Sequence, residues 1–200
     1  MEMHADSALV LVDIQCDYLP DGAVAIKRGE EVVEPASKMS KGFSERGLPV
    51  ILTRVWHPAH HTSFKEQGGK KPRHCVQDTH GAEFAADLEV PDDAWIISKG
   101  VEPEDTAISG FGTTDLAVRL KEKGVRALFI AGLATDSAVK KTVLDAREAG
   151  YDVFLIANAC RGLNALASDS ASAVEEMMKK GTRVVSSGAV EDALAAFVAS

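Results

Sequence analysis

Short apolar runs rich in Val, Ile and Leu recur along the chain, and segments with helical spacing lie between most of them. The runs are Ala8 to Ile14, Pro49 to Val55, Ala94 to Ser98, Arg126 to Ala131, Asp152 to Ala157 and Arg183 to Ser186. The helical segments are Glu30 to Arg46, Asp115 to Lys123, Asp136 to Ala149, Ser168 to Lys179 and Val190 to Ala199. This alternation predicts an α/β fold with a six-stranded parallel sheet, strand order 3-2-1-4-5-6, and helices on both faces.

The segment from Trp56 to Pro91 breaks the alternation. It contains five of the six histidines, the Gly68-Gly69 pair and many charged residues. A connection of this length inside a compact domain is usually functional. No internal repeat or polar linker divides the chain, so we expect one domain over residues 1–200.

Charge and cysteine content narrow the function classes. The 22 Lys and Arg residues against 30 Asp and Glu residues give a net charge of −8. This charge disfavours nucleic acid and anionic membrane surfaces as partners. The N-terminus has no secretory signal pattern and no apolar run is long enough for a membrane span, so we expect a cytoplasmic protein. Three widely separated cysteines predict free thiols, not a disulfide framework.

Three strand ends carry residues with chemical potential. Asp13 follows ALVLV, Lys99 follows AWIIS, and the turn Leu133 to Ala138 follows RALFIAG. The carboxyl ends of strands in an open parallel sheet form the usual ligand crevice. Singly, Asp13 also fits a turn cap and Lys99 a solvated strand end. Together, an acid, a lysine and a helix start at one edge predict an active site.

Five motifs in one order support a closer assignment. They are VDIQCDYLPDGAVAI, HPAHHTSF, KPRHCVQDTHGAEF, KGVEPEDTAISGF and GLATDSAVKKTVLDA. Over nearly the whole chain these motifs resemble those of nicotinamidases, also called pyrazinamidases, which are isochorismatase-like cysteine hydrolases. The resemblance implies their fold and the hydrolysis of nicotinamide to nicotinate and ammonia.

The family's catalytic triad is incomplete in this chain. The resemblance implies Asp13 as the group that takes the thiol proton, Lys99 as its charged partner, and a cysteine nucleophile at the position of Ala138. It also implies an oxyanion hole formed by the backbone N–H groups of Ala134 and Ala138. Ser137 is expected to face away, because consecutive helical residues point about 100° apart. Cys16, where the family has Asn, is expected to be a small buried thiol. We therefore expect amide hydrolysis to be lost or severely impaired.

The family's metal site is also altered. The resemblance implies His57, His61 and His74 as ligands of a divalent ion such as Zn, Fe or Mn, with Val55 in place of an acidic ligand. Three imidazoles suffice for Zn²⁺ with an open position. Without the carboxylate we expect binding to be weak or absent. The remaining loop histidines, His60 and His80, are expected at the surface.

The resemblance also identifies two residues of the substrate pocket. Tyr18 stands where the family has an aromatic residue, and Lys71 replaces a tryptophan. A cation favours a pyridine carboxylate over a neutral carboxamide. Two alternatives to an impaired amidase remain: a non-catalytic small-molecule-binding relative, or a cysteine-independent hydrolase of the isochorismatase type. We also expect a homo-oligomer.

Overall fold

The six apolar runs form the six strands of one sheet. The computed structural model describes residues 2–197 of the chain. The strands are β1 (Ser7–Val12), β2 (Val50–Val55), β3 (Trp95–Lys99), β4 (Ala127–Leu133), β5 (Asp152–Arg161) and β6 (Arg183–Val185). Every neighbouring pair is parallel and the order is β3-β2-β1-β4-β5-β6. The predicted α/β class and strand order are confirmed.

Five α-helices accompany the sheet in the described residues. They are α1 (Val33–Ser44), α2 (Leu116–Glu122), α3 (Lys140–Glu148), α4 (Asp169–Lys179) and α5 (Ser187–Ala196). Helix α1 packs against α5, and α3 packs against α4. Helix α1 connects β1 to β2, on the β3 side of the sheet, whereas α3 and α4 connect β4 to β5 and β5 to β6, in the opposite direction along the sheet. Since all these crossovers are right-handed, the two helix pairs lie on opposite faces. Within residues 2–197 no helix is long and apolar enough to cross a membrane.

Strands β1 and β4 form the centre of the core. Every residue of β1 is buried, and in β4 only Ala127 is partly accessible. Gly132 lets the two strands approach closely at their carboxyl ends, because a Cβ there would lie 2.1 Å from the carbonyl oxygen of Val12. Its φ of 124° is also rarely adopted by other residues. This approach brings the end of β4 close to Asp13.

Two boundaries next to this point differ from the predictions. Strand β1 ends at Val12, because Asp13 takes a left-handed conformation with φ 51° and turns the chain out of the sheet. The helix predicted from Asp136 begins instead with a π-helical turn, Thr135–Val139. In that turn the N–H of Val139 donates to the carbonyl oxygen of Ala134 at 3.1 Å.

Other element ends also differ from the predictions. Strand β5 continues beyond its predicted end at Ala157 to Arg161. The first predicted helix begins with a separate 3-10 turn, Gly29–Val32, before α1. The last helix starts early, because the Ser186 hydroxyl accepts a hydrogen bond from the N–H of Ala189 and caps it. The predicted end of that helix, Ala199, lies outside the described residues.

Candidate functional site

A cavity of about 260 Å³ lies at the carboxyl ends of β1 to β4. Its wall contains eight of the nine residues predicted for the site. They are Asp13, Tyr18, His57, His61, Lys71, His74, Lys99 and Ala138. Five widely separated motifs therefore meet in one place. Ala134, the other residue implied for the oxyanion hole, is buried just after β4 and is not in the wall.

Asp13 and Lys99 form a buried ion pair in this wall. The Nζ of Lys99 lies 2.6 Å from Oδ2 of Asp13, and the two side chains are only 1% and 3% exposed. The other carboxylate oxygen accepts a hydrogen bond from the Thr53 hydroxyl at 2.6 Å. Lys99 also donates to the carbonyl oxygen of Ile108 at 2.7 Å. Both charges are therefore held in fixed positions, as a buried pair requires.

Ala138, at the position predicted for a nucleophile, carries only a methyl group. It is 7% exposed and lines the same cavity as the Asp13–Lys99 pair. Ser137 lies in the cavity wall as well, so the prediction that it faces away from the site is wrong. The prediction assumed α-helical spacing, whereas the chain here follows the wider π-helical turn.

No cysteine of the described residues lies in the cavity wall. Cys16 is only half-buried, so the prediction of a buried thiol is wrong, and its thiol donates to the carbonyl oxygen of Phe84 at 3.6 Å. Cys75 and Cys160 are fully buried, and burial raises the pKa of Cys75 strongly and that of Cys160 to about 12. Because the thiolate is the reactive form, burial makes Cys75 and Cys160 poor nucleophiles.

The three predicted metal-binding histidines pack together around Phe64. The rings of His57 and His61 stack at 3.7 Å between centroids, and His74 lies edge-on to His57 at 5.2 Å. The Nδ1 atoms of His57 and His74 donate to the carbonyl oxygens of Gly100 and Pro72, each at 2.9 Å. This leaves the Nε2 of each neutral ring as an acceptor. Burial lowers the pKa of His57 to about 4, so this ring is neutral at pH 7.

His61 does not offer a nitrogen to the same point. Its Nε2 donates to the carbonyl oxygen of Asp105 at 2.9 Å, and its Nδ1 accepts from the Ser63 hydroxyl at 2.8 Å. Across residues 2–197, no group of three or more His, Cys, Asp or Glu side chains is arranged to hold a metal ion. The predicted three-imidazole ligand set is therefore not assembled.

The surroundings of the histidines also disfavour a divalent cation. Val55 packs in a small apolar cluster with Cys75 and Ala82, so no carboxylate balances the charge of an ion. Lys71 adds a positive charge to the same wall. The residues present therefore do not fit a resident divalent metal. His60 and His80 are both exposed, as predicted.

Tyr18 and Lys71 give the cavity an aromatic and a cationic wall. The Tyr18 ring lies edge-on to His74 at 6.0 Å, and burial raises the pKa of Tyr18 well above its usual value. Lys71 is exposed at the rim, and within residues 2–197 it forms no ion pair. The wall therefore contains one cation without a carboxylate partner.

The loop after β3 completes the wall, a role that the sequence did not reveal. Thr106, Ala107 and Ile108 all line the cavity. Asp105 fixes this loop, since its carboxylate accepts from the N–H groups of Gly100 and Ala107, each at 2.9 Å. A signal was available: KGVEPEDTAISGF places an acid and several turn-forming residues directly after Lys99.

Comparison with known proteins identifies the family of the chain. Residues 7–189 match the model of the isochorismatase domain. The nicotinamidase of Escherichia coli is 36% identical, over 87% of this chain and 92% of its own length. The chain belongs to the nicotinamidase family. The family includes the pyrazinamidase of Pyrococcus horikoshii, solved in complex with zinc, with 42% identity, a TM-score of 0.87, and coverage of 90% of this chain and 99% of its own. PnC1 from L. infantum, solved in complex with nicotinate, is 30% identical with a TM-score of 0.87. The match covers 94% of this chain and 97% of PnC1.

Rebuilding the acidic ligand should create a metal site. We expect Val55→Asp combined with Lys71→Trp to bind Zn²⁺ at least about 100-fold more tightly than the unmodified chain, equivalent to about 2.7 kcal/mol. The change supplies an anion and removes a competing cation beside two imidazole acceptors. Calorimetric titration with Zn²⁺ measures the affinity.

The matched control is Val55→Asn with Lys71→Trp, which has the same shape without the carboxylate charge. This control should lack most of the expected gain of about 100-fold in Zn²⁺ affinity. Tight, stoichiometric zinc in the unmodified chain after dialysis against a chelator would contradict our account of this site.

Proposed function

We propose that the protein binds an aromatic carboxylate, of which nicotinate is the model, and does not hydrolyse amides at the rate of its family. The observation that carries the proposal is the methyl group of Ala138 in the cavity that also holds the Asp13–Lys99 pair. A hydrolase that works through an acyl-enzyme needs a nucleophile at that place. The backbone N–H of Ala138, in the cavity wall, can donate to an oxyanion but cannot attack.

The charge of the cavity favours an anion. Asp13 and Lys99 neutralise each other, whereas Lys71 has no such partner in the described part of the chain. A ligand carboxylate placed near Lys71 would supply the missing charge. The rings of Tyr18, His57 and His74 offer apolar surface to a flat ring. Nicotinate bound to the L. infantum relative supports this class of ligand.

One observation favours a second candidate. The buried Asp13–Lys99 pair survives although the nucleophile is absent. A cysteine-independent hydrolase of the isochorismatase type would use an aspartate and a lysine without a thiol. Incubation with a vinyl ether substrate, followed by detection of the released carbonyl product, separates this candidate from simple binding.

Removing the charge of Lys71 should abolish the preference for anions. We expect the unmodified chain to bind nicotinate about 10-fold more tightly than nicotinamide, equivalent to about 1.4 kcal/mol. Lys71→Ala should bind both ligands equally, and Lys71→Arg should keep the preference. Isothermal calorimetry on the three proteins with each of the two ligands measures the affinities.

The neighbouring exposed lysine provides the control. Lys70 does not line the cavity, so Lys70→Ala should leave the preference unchanged. An equal loss in both alanine variants would show that only the general charge of the loop matters. If the unmodified chain binds neither ligand, the proposed function is wrong.

Three further features remain predictions for this chain. They are self-association into a homo-oligomer, cytoplasmic location and weak or absent binding of a divalent ion. Light scattering on purified protein tests the first. Metal analysis after purification without added metal tests the third.

A further inference from the structure

A second, more open cleft of about 530 Å³ lies directly outside the cavity. It runs between the loop after β3 and the start of α3. The two spaces share four wall residues: Thr106, Ala107, Ile108 and Ser137. The inner cavity alone is smaller than the roughly 300–1,000 Å³ of typical small-molecule sites, whereas the two spaces together fall within that range. The two adjoining spaces are together large enough for a molecule larger than a single substituted ring.

The charged side chains of the outer cleft all have hydrogen-bond or ion-pair partners. Lys141 pairs with Asp145 at 2.5 Å, and Lys140 pairs with Glu176 at 3.3 Å. Asp136, the remaining ionised residue of the wall, accepts two backbone N–H groups from the segment after β5, at 2.9 and 2.7 Å. An uncharged group lies in such a cleft without displacing these partners. A charged group would compete with them.

The shared wall combines hydroxyl and apolar groups. Thr106 and Ser137 are hydroxyl-bearing residues that can donate and accept hydrogen bonds, while Ala107 and Ile108 are apolar. Ile108 is 47% exposed, although its carbonyl oxygen is held by Lys99 at 2.7 Å. A ligand that extends out of the inner cavity would cover the Ile108 side chain. Removing this apolar surface from water would favour binding.

We propose that the ligand of this protein is an aromatic carboxylate extended by an uncharged, hydroxyl-bearing group. This inference rests on the proposed function. The carboxylate faces Lys71, the ring occupies the inner cavity, and the extension leaves past Ser137 into the outer cleft on the side of the ring away from the carboxylate.

Three related ligands test the extension. The probes are nicotinate, nicotinate with a 2-hydroxyethoxy group on the ring carbon opposite its carboxylate, and the phosphate ester of that hydroxyl. We expect the hydroxyethoxy ligand to bind the unmodified chain about 10-fold more tightly than nicotinate. The phosphate ester should bind no more tightly than the hydroxyethoxy ligand. Calorimetry on the full chain measures the three dissociation constants.

Filling the outer cleft should remove this gain. Lys141 lines only the outer cleft, so Lys141→Trp should reduce the 10-fold difference to less than twofold and leave the affinity for nicotinate within twofold of the original. Lys140→Trp fills the same space from the preceding residue and provides a second test if the first variant folds poorly. Lys179→Trp, on the exposed surface of α4, is the control and should retain the full gain.

The outcomes separate the two proposals. If nicotinate fails to bind the unmodified chain, the proposed function itself fails. If nicotinate binds and the hydroxyethoxy group adds nothing, or if both filled variants keep the gain, the extension is overturned while the proposed function stands. Binding of the phosphate ester 10-fold more tightly than the hydroxyethoxy ligand would overturn the assignment of an uncharged extension.

Discussion

Ala138→Cys is expected to raise the rate of ammonia release from nicotinamide at least about 100-fold above that of the unmodified chain. Loss of a nucleophile costs well-studied hydrolases about 10⁶ in turnover, so there is room for a large recovery. Ala138 already lies in one cavity with Asp13 and Lys99. A thiol at this position would therefore meet the acid that, by family resemblance, takes its proton. A coupled assay for ammonia measures the rate.

Recovery should remain incomplete, because Val55 and Lys71 still alter the rest of the cavity. Ala138→Ser is the matched control: it adds a side chain of similar size whose hydroxyl is a much weaker nucleophile at neutral pH, and it should stay near background. Alkylation of the new thiol with iodoacetamide should abolish the recovered rate. If the unmodified chain hydrolyses nicotinamide about once per second or faster, Ala138 does not impair catalysis. Ser137 would then be the residue to test.

The fold could be predicted because its signals are local and repeated. Strands buried on both faces, such as β1 and β4, give uninterrupted apolar runs, and the crossovers between them follow one handedness. The deviations occur where a single backbone conformation decides the path. Asp13 ends β1 with a positive φ, and the π-helical turn at Thr135–Val139 widens the start of α3. Neither conformation has a distinct residue pattern.

The site was predicted less completely, because several of its contacts depend on loops. Motif order alone brought Asp13, Lys99 and the three histidines to one cavity. It did not show that the Nε2 of His61 would donate a hydrogen bond to the carbonyl oxygen of Asp105. It also missed Thr53, whose hydroxyl donates to Asp13 across the β1–β2 pair. Backbone carbonyl groups occur at every residue, so the sequence does not mark the one that a histidine will meet.

The buried ion pair should also be the largest single electrostatic determinant of stability that this structure reveals. Lys99→Met leaves the Asp13 carboxylate buried with only the Thr53 hydroxyl as a partner. Removal of one member of a buried pair typically costs about 3–5 kcal/mol, a large part of the roughly 5–15 kcal/mol that stabilises a domain. Urea unfolding at pH 7, followed by circular dichroism, measures the change in the free energy of unfolding.

An exposed pair with nearly the same geometry provides the comparison. Lys38 and Glu34 lie 2.7 Å apart, but their side chains are 57% and 79% exposed. Lys38→Met should therefore cost less than about 1 kcal/mol. Adding Asp13→Leu to Lys99→Met should return part of the lost stability, since no charge is then left buried without a partner. Equal losses of unfolding free energy in Lys99→Met and Lys38→Met would mean that burial does not strengthen the dependence of Asp13 on Lys99. Asp13 and Lys99 would then be retained for what they bind and not for the stability of the fold.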